Sequence, residues 1–276
     1  MPANQARMAL FGVGAMGSTV LQGLVNSGYP KEKLVFAERH VGLREQNEAN
    51  FGVRSVATNS EAAEWCEVAW IIVKPQDALQ LLDEISPSLQ PGTLIVSLCV
   101  GLTTEILGRH LPEGTPVVRV MPNLPARIGQ GVSGISGGST ATDDQIALVA
   151  ELMSSVGTAV VVPEEEQAAV AAVSGSGPAY LFAVAEAMVN AGVELGLTKD
   201  AADSLVRQTL LGSATLLAES TEEPQELRRQ VTSKKGTTEA AIKVFTEQGL
   251  TEMFSAALAA AVARSNELAA ELGAAG

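Results

Sequence analysis

Short, nearly unbroken apolar runs alternate with amphipathic stretches through the first half of the chain. Residues 7–13 are apolar after Arg7 and run into glycines; Leu34–Ala37 (LVFA), 68–73 (VAWIIV), 94–98 (LIVSL) and 117–120 follow. These runs predict strands, and 16–27 and 77–82 between them predict helices. Strand alternating with helix at this spacing predicts a parallel sheet with helices on both faces. Strands that are apolar throughout agree with burial on both sides. Residues 131–135 and 159–162 predict two closing strands around a helix at Asp143–Met153.

The strand pattern stops near Glu164, and the rest is rich in alanine with a helical period. Leu205, Val206, Thr209, Leu210, Ser213, Leu216 and Leu217 recur at steps of one, three and four, which predicts one buried helix face. Thr251 is a plausible N-cap for a last helix reaching about Leu268. Small residues such as Ala185, Ala187, Ala191 and Gly192 let helices approach closely. Four or five helices with this much apolar surface either pack on themselves or cover a second subunit; the expectation is a homodimer through this half. The predicted division is 1–163, an α/β dinucleotide-binding domain, and 164–276, an all-helical substrate and dimerisation domain.

Length and composition fit this plan. The chain has 276 residues, 46% hydrophobic and 18% charged, an ordinary globular mixture of about two domains. A formal net charge of −13 disfavours a nucleic-acid partner, which needs a basic face, and an anionic membrane surface. Cys66 and Cys99 form no disulfide framework, and with His40 and His110 they make no metal-ligand cluster. The longest uncharged stretch, 167–185, holds Ser174-Gly175-Ser176-Gly177-Pro178, expected to break any membrane helix. With no secretory pattern at the N-terminus, a reducing cytoplasmic home is expected.

Gly12-Val13-Gly14-Ala15-Met16-Gly17 is a GxGxxG that follows an apolar strand and opens a helix, the context that gives this weak pattern its meaning. The first glycine makes the turn, the second lets backbone N–H groups reach a pyrophosphate, and the third lets helix and strand pack closely. Glu38 lies 21 positions beyond Gly17, at the end of the next strand, where an acid bonds a ribose 2′-hydroxyl and favours NAD. Arg39 beside it suits a 2′-phosphate and favours NADP. Val73-Lys74-Pro75 and the segment from Ser97 to Gly101 end two strands at the carboxyl edge, where ligands of open parallel sheets sit. Lys74 reads equally well as a surface lysine.

Proton supply bears on the substrate. Reducing a carbonyl leaves an alkoxide that needs a donor such as His or Lys. Residues 179–197, the predicted first long helix of the second half, hold neither. That half offers hydroxyls instead: Ser174, Ser176 and the run Val231-Thr232-Ser233-Lys234-Lys235-Gly236-Thr237-Thr238 before a helix, where N–H groups and hydroxyls either bind an anion or serve as an ordinary cap. Such a site suits an imine, which arrives protonated and takes hydride to become a neutral amine.

The chain resembles the pyrroline-5-carboxylate reductase family along nearly its whole length. The likeness rests on the glycine loop, Val73-Lys74-Pro75-Gln76, Arg119-Val120-Met121-Pro122-Asn123, Ala172-Val173-Ser174-Gly175-Ser176-Gly177-Pro178-Ala179-Tyr180 and the run from Val231 to Thr238. The resemblance implies a Rossmann domain followed by a helical domain interlocked with a second subunit, with dimers gathered into rings, commonly decamers of five dimers. It implies hydride transfer from NADPH, or NADH, to C5 of 1-pyrroline-5-carboxylate, giving L-proline. By the same likeness Gly12, Gly14, Ala15, Met16 and Gly17 hold the pyrophosphate. Asn59, Val73, Lys74, Pro75, Leu98, Cys99 and Val100 line the adenosine and nicotinamide ribose side. Ser233 and the N–H groups of Gly236, Thr237 and Thr238 grip the substrate carboxylate, and the Thr238 hydroxyl sits near the ring nitrogen. Interlocking implies that this loop serves the cofactor of the partner subunit.

The chain also departs from the family. Ser233-Lys234-Lys235-Gly236 stands where members usually read Ser-Pro-Gly-Gly. If the lost glycine needed φ > 0, Lys235 carries strain; alternatively two lysines add positive charge beside an anionic substrate. Ala168 replaces a usual acid, and Val100 stands where alanine is common. Two other readings remain in view: reduction of a related cyclic imine or hydroxyacid dehydrogenase-like chemistry, and a nucleotide sensor without turnover. The hydroxyl-rich loop speaks against the sensor.

Overall fold

Every residue of β1 (Met8–Phe11) is at most 1% exposed, which places this strand at the centre of the sheet. The computed structural model describes residues 5–38 and 40–275. The other strands are β2 (Leu34–Ala37), β3 (Arg54–Val56), β4 (Val68–Ile71), β5 (Leu94–Ser97), β6 (Val117–Met121), β7 (Gly131–Gly137) and β8 (Gly157–Val161). They form one sheet in the order β3-β2-β1-β4-β5-β6-β7-β8. β1 pairs in parallel with β2 on one side (Met8 opposite Leu34) and with β4 on the other (Met8 opposite Val68), so the strand order reverses there.

Helices cover both faces: α1 (Ala15–Asn26), α2 (Val41–Phe51), α3 (Asn59–Trp65), α4 (Pro75–Ile85), the short α5 (Thr104–Gly108) and α6 (Asp143–Met153). Their ends are written in the sequence. Thr58 caps α3 by accepting the Glu61 N–H, Pro75 opens α4, and Thr142 with Gln145 forms a reciprocal capping box on α6. Alternate strand residues face two apolar layers. One holds Met8, Leu10, Phe36, Trp70 and Val96; the other holds Ala9, Phe11, Val35, Ile71 and Ile95.

The sheet is not wholly parallel. β6 and β7 run antiparallel, with Val118 opposite Gly137 and Met121 opposite Gly134. Only the short 3₁₀ turn Leu124–Ile128 joins them, too little chain for a parallel crossover. β3 escaped the sequence pattern because it has three residues, two of them Arg54 and Ser55.

After β8 the chain is helical: α7 (Gln167–Val170), a π-helical turn Ala171–Gly175, α8 (Gly177–Glu194), α9 (Lys199–Glu219), α10 (Pro224–Gln230), α11 (Thr237–Glu247) and α12 (Leu250–Ala275). The Ser174–Pro178 stretch therefore does not break the helix as expected. The Ser176 N–H bonds back to the Ala171 carbonyl at 2.8 Å, and Glu164–Glu194 is, by length and composition, long and apolar enough to cross a membrane. α12 begins at Leu250, one residue before the expected cap, and runs past Leu268 to Ala275. The α9 face predicted to be buried is mostly open in a single chain: Val206 is buried, whereas Leu205, Leu216 and Leu217 are exposed.

The chain forms two compact units. One runs to Ser176 and takes back the chain from Ala260 onward; the other is Gly177–Ala259. In the first unit, Leu272 of α12 lies against Gly101, and Glu164 ties the helical segment to the sheet. Its carboxylate accepts the Thr104 N–H at 2.7 Å and the Thr104 hydroxyl, and stands 3.7 Å from the Arg119 guanidinium on β6. Burial holds Arg119 below its usual pKa, and the adjacent carboxylate pulls it partly back.

Glu164→Gln keeps the shape but leaves the buried guanidinium without its anion. The expected loss is about 1.5–3 kcal/mol, the worth of a hydrogen bond to a charged group. At fixed protein concentration this lowers the urea midpoint with little change in slope.

Candidate functional site

The site begins where β1 and β4 end side by side. Gly12 follows β1 at φ +99°, and a Cβ there would lie 2.8 Å from the Ile72 carbonyl oxygen and 2.9 Å from the Val73 nitrogen. Gly17, on the first turn of α1, would carry a Cβ only 2.0 Å from the Gly12 carbonyl oxygen. Both positions exclude any other residue, and together they draw α1 down onto the strand ends. Gly14 differs: it is the N-cap of α1, and a Cβ there meets nothing within 4 Å. The space over the helix N-terminus is open, and the first N–H groups of α1, including those of Ala15 and Met16, have no helical acceptor. An anionic pyrophosphate fits that opening and the positive end of the helix.

The neighbouring strand ends form the floor. The Ile72 N–H donates to the Phe11 carbonyl at 2.9 Å, and the Leu98 N–H to the Ile71 carbonyl at 3.0 Å. Cys99 tucks its thiol against the Val73 carbonyl at 3.4 Å. Thus Gly12, Val73, Leu98 and Cys99 come together across three strands. Lys74 is exposed and N-caps α4, Pro75 is its first residue, and Val100 is 36% exposed. Burial pushes the Cys99 thiol up to about 11 and the Cys66 thiol up to about 12, so both stay protonated and inert at neutral pH.

On the β2 side, one Glu38 carboxylate oxygen accepts the His40 N–H at 2.9 Å, a local turn that holds the acid at the strand exit. Arg39 lies outside the described residues. Asn59 opens α3, and its amide donates to Glu84 of α4 at 3.1 Å. His110 pairs with Asp83 at 2.7 Å.

The second constellation stands by itself in the helical unit. After α10 the chain turns through Ser233, Lys234 and Lys235 into Gly236, the N-cap of α11. The Gly236 N–H donates to the Ser233 carbonyl at 3.0 Å, so the turn itself occupies a group expected to grip an anion. The Thr237 and Thr238 N–H groups, in the first helical turn, lack backbone acceptors. Thr238 is half-buried and Ser233 exposed. Lys235 takes φ +57°, the one non-glycine with positive φ among the described residues, and Glu239 accepts its N–H at 2.7 Å. The conditional expectation of strain is met: a long side chain holds a left-handed position where glycine is at ease.

Asn123 received no role from the sequence, although its motif was read. Its amide oxygen accepts the Val132 N–H at 3.0 Å, and its NH₂ donates to the Ser174 carbonyl at 3.2 Å. It thus clamps the end of β6 to the π-helical turn. The turn can sit there because Gly175 lacks a Cβ, which would come 2.6 Å from the Met121 methyl. Its place in the Arg119–Asn123 motif, just after a predicted strand, was the available clue, and the structure finds it buried.

Two family profiles match the chain: "Pyrroline-5-carboxylate reductase dimerisation" over residues 164–268 and "NADP oxidoreductase coenzyme F420-dependent" over residues 7–101. The chain is 40% identical over 268 residues to the pyrroline-5-carboxylate reductase of Pseudomonas aeruginosa, covering 97% of this chain and 98% of that one. It is 35% identical to the enzyme of the same name from Corynebacterium melassecola, covering 95% and 98%. Among solved structures it is similar to a pyrroline-5-carboxylate reductase from Coxiella burnetii, with a TM-score of 0.92, 35% identity and coverage of 96% and 99%. It is also similar to the Plasmodium falciparum pyrroline carboxylate reductase with NADP bound, with a TM-score of 0.83, 26% identity and coverage of 96% and 99%.

Two outcomes follow from the local geometry. Gly14→Val places its side chain in space the protein leaves empty, so the fold survives while the dissociation constant for the dinucleotide, read by fluorescence titration, rises at least about a hundredfold, or about 2.7 kcal/mol. Lys235→Gly removes a left-handed cost of about 1–2 kcal/mol and adds about 0.5–1 kcal/mol of chain entropy, so its melting temperature holds or rises. Lys235→Val, β-branched, melts lower.

Proposed function

The chain belongs to the pyrroline-5-carboxylate reductase family, and from that premise we propose which of its residues carry the reaction. The reaction is the NAD(P)H-dependent reduction of 1-pyrroline-5-carboxylate at C5, with L-proline as product. The helical domain forms a dimer with a second copy. Such a dimer accounts for the exposed apolar face of α9 and for the long apolar helix as an alternative to a membrane.

The proposed division of labour follows 1–163 and 164–276. In the first part Gly12, Gly14, Ala15, Met16 and Gly17 hold the pyrophosphate; the open space over Gly14 supports this. Glu38 and Arg39 bind the adenosine ribose and its substituent. Asn59, Val73, Lys74, Pro75, Leu98, Cys99 and Val100 line the remainder of the cofactor site. NADPH is the preferred donor in this reading, in keeping with the NADP profile and the NADP-bound relative. When bound, the reduced nicotinamide supplies the hydride.

In the second part the turn into α11 binds the substrate. Ser233 and the N–H groups of Thr237 and Thr238, joined by Gly236 when its turn bond is shared, receive the carboxylate at the positive end of the helix. Lys234 and Lys235 add attraction, offsetting Glu239 nearby. The Thr238 hydroxyl bonds the ring nitrogen and orients C5. A protonated imine becomes a neutral amine on receiving hydride, so no residue has to deliver a proton to an alkoxide. The observation that carries this reading is the composition of the site: α8 holds no lysine or histidine, and the α11 turn offers N–H groups and hydroxyls. Assembly of five dimers into a decamer, and residence in the reducing cytoplasm with both buried thiols free, complete the proposal.

The decisive measurement is loss of reduced-nicotinamide absorbance by the purified protein. Turnover with pyrroline-5-carboxylate, faster with NADPH than NADH and absent with a hydroxy acid or its keto form, is expected. Thr238→Val lowers kcat by roughly tenfold to a hundredfold, the value of a bond worth about 1.5–3 kcal/mol, with cofactor affinity unchanged. An unaltered kcat removes Thr238 from the mechanism.

A further inference from the structure

β8 is the last strand of the sheet, and its free edge is bare. Edge strands usually carry charges, prolines or bulges that prevent pairing with another chain. Thr158-Ala159-Val160-Val161-Val162 has none of these, and Val160 and Val161 are 45% and 57% exposed. The Val162 N–H donates inward to the Ile135 carbonyl at 2.9 Å. Backbone groups alternate sides along a strand, so the N–H and C=O of Ala159 and Val161 point outward. Beside this edge lies an apolar recess of about 330 Å³, lined by Val132, Val160 and Val162 from the sheet and by Ala169, Val170 and Val173 from the helical segment after it.

We propose that this edge pairs antiparallel with the same edge of a second copy, so that the sheet runs across the dimer. Three features name that occupant. The recess is partly built from the dimerisation region, because Ala169, Val170 and Val173 lie within residues 164–268. A two-fold axis through an edge strand lays it antiparallel on its own copy, the arrangement that satisfies the outward groups of both strands. Two copies, each with a formal charge of −13, repel unless they meet on uncharged surface, and this patch is apart from Glu166 uncharged. Pairing centred on Val160 sets Ala159 opposite the partner copy's Val161 and uses every outward group of both residues. The proposal rests on the dimer described above.

The test is a cysteine scan of the full-length chain with single substitutions Ala159→Cys, Val160→Cys and Val161→Cys. Cys66 and Cys99 are buried and contribute no background. Residues facing each other across an antiparallel pair have Cα atoms about 4.5–5.5 Å apart, within disulfide reach. Each variant is weighed by light scattering and then mildly oxidised. A dimer in which Val160→Cys links more than half of the chains, and Ala159→Cys and Val161→Cys far fewer, is expected. A dimer by mass in which none of the three links overturns the edge pairing and leaves the helical dimer standing. A monomer by mass overturns both.

Discussion

The close approach of the β1 exit, the first turn of α1 and the β4 exit is the constraint on which the remainder depends. Gly12 lies under van der Waals distance from β4 for any side chain, and Gly17 rests on the Gly12 carbonyl. Only that compression brings the N-terminus of α1 to the point where the strand order reverses, with Val73, Leu98 and Cys99 beside it. The opening over Gly14 is its consequence. A helix lifted by one methyl group at Gly17 would carry its unpaired N–H groups away from the floor they share with the strand ends.

The chemistry assigned to the protein asks little of strong acids or bases. In the proposed reading, the amide N–H groups and hydroxyls of the α11 turn receive the carboxylate, and the imine nitrogen already carries the positive charge that hydride neutralises. The local price is seen in the backbone: Lys235 stands at φ +57°, held by the Glu239 carboxylate on its N–H. This left-handed residue lies one position before Gly236, the N-cap of α11, in the turn that leads to the helix's first N–H groups.

The helical unit makes sense only as half of something. Leu181, Phe182, Leu211, Leu216, Phe245 and Met253 are exposed in the single chain, far more apolar surface than a monomer of net charge −13 needs to show. Dimerisation through this domain offers that surface a partner. In the first unit the helical segment after β8 is anchored to the sheet by the Glu164 clasp on Thr104 and Arg119.

Periodicity by itself predicted strands at 34–37, 68–73 and 94–98, which the structure has at 34–37, 68–71 and 94–97, together with the 143–153 helix, the glycine loop and the change to a helical second half, because burial on two faces and helical period act on residues close in the chain. β3 was illegible, being three residues long with two of them polar. The antiparallel turn between β6 and β7 depends on how little chain joins them, and the helical continuity through Ser174–Pro178 depends on a π turn clamped by Asn123 from fifty residues away. The candidate residues were likewise readable as types in a motif, and the left-handed Lys235 only as a condition on a replaced glycine, whereas the occupied N–H of Gly236 and the bare edge of β8 were not. Those are properties of tertiary structure: they depend on which backbone groups remain without a partner after the chain has closed on itself, and no local pattern records that.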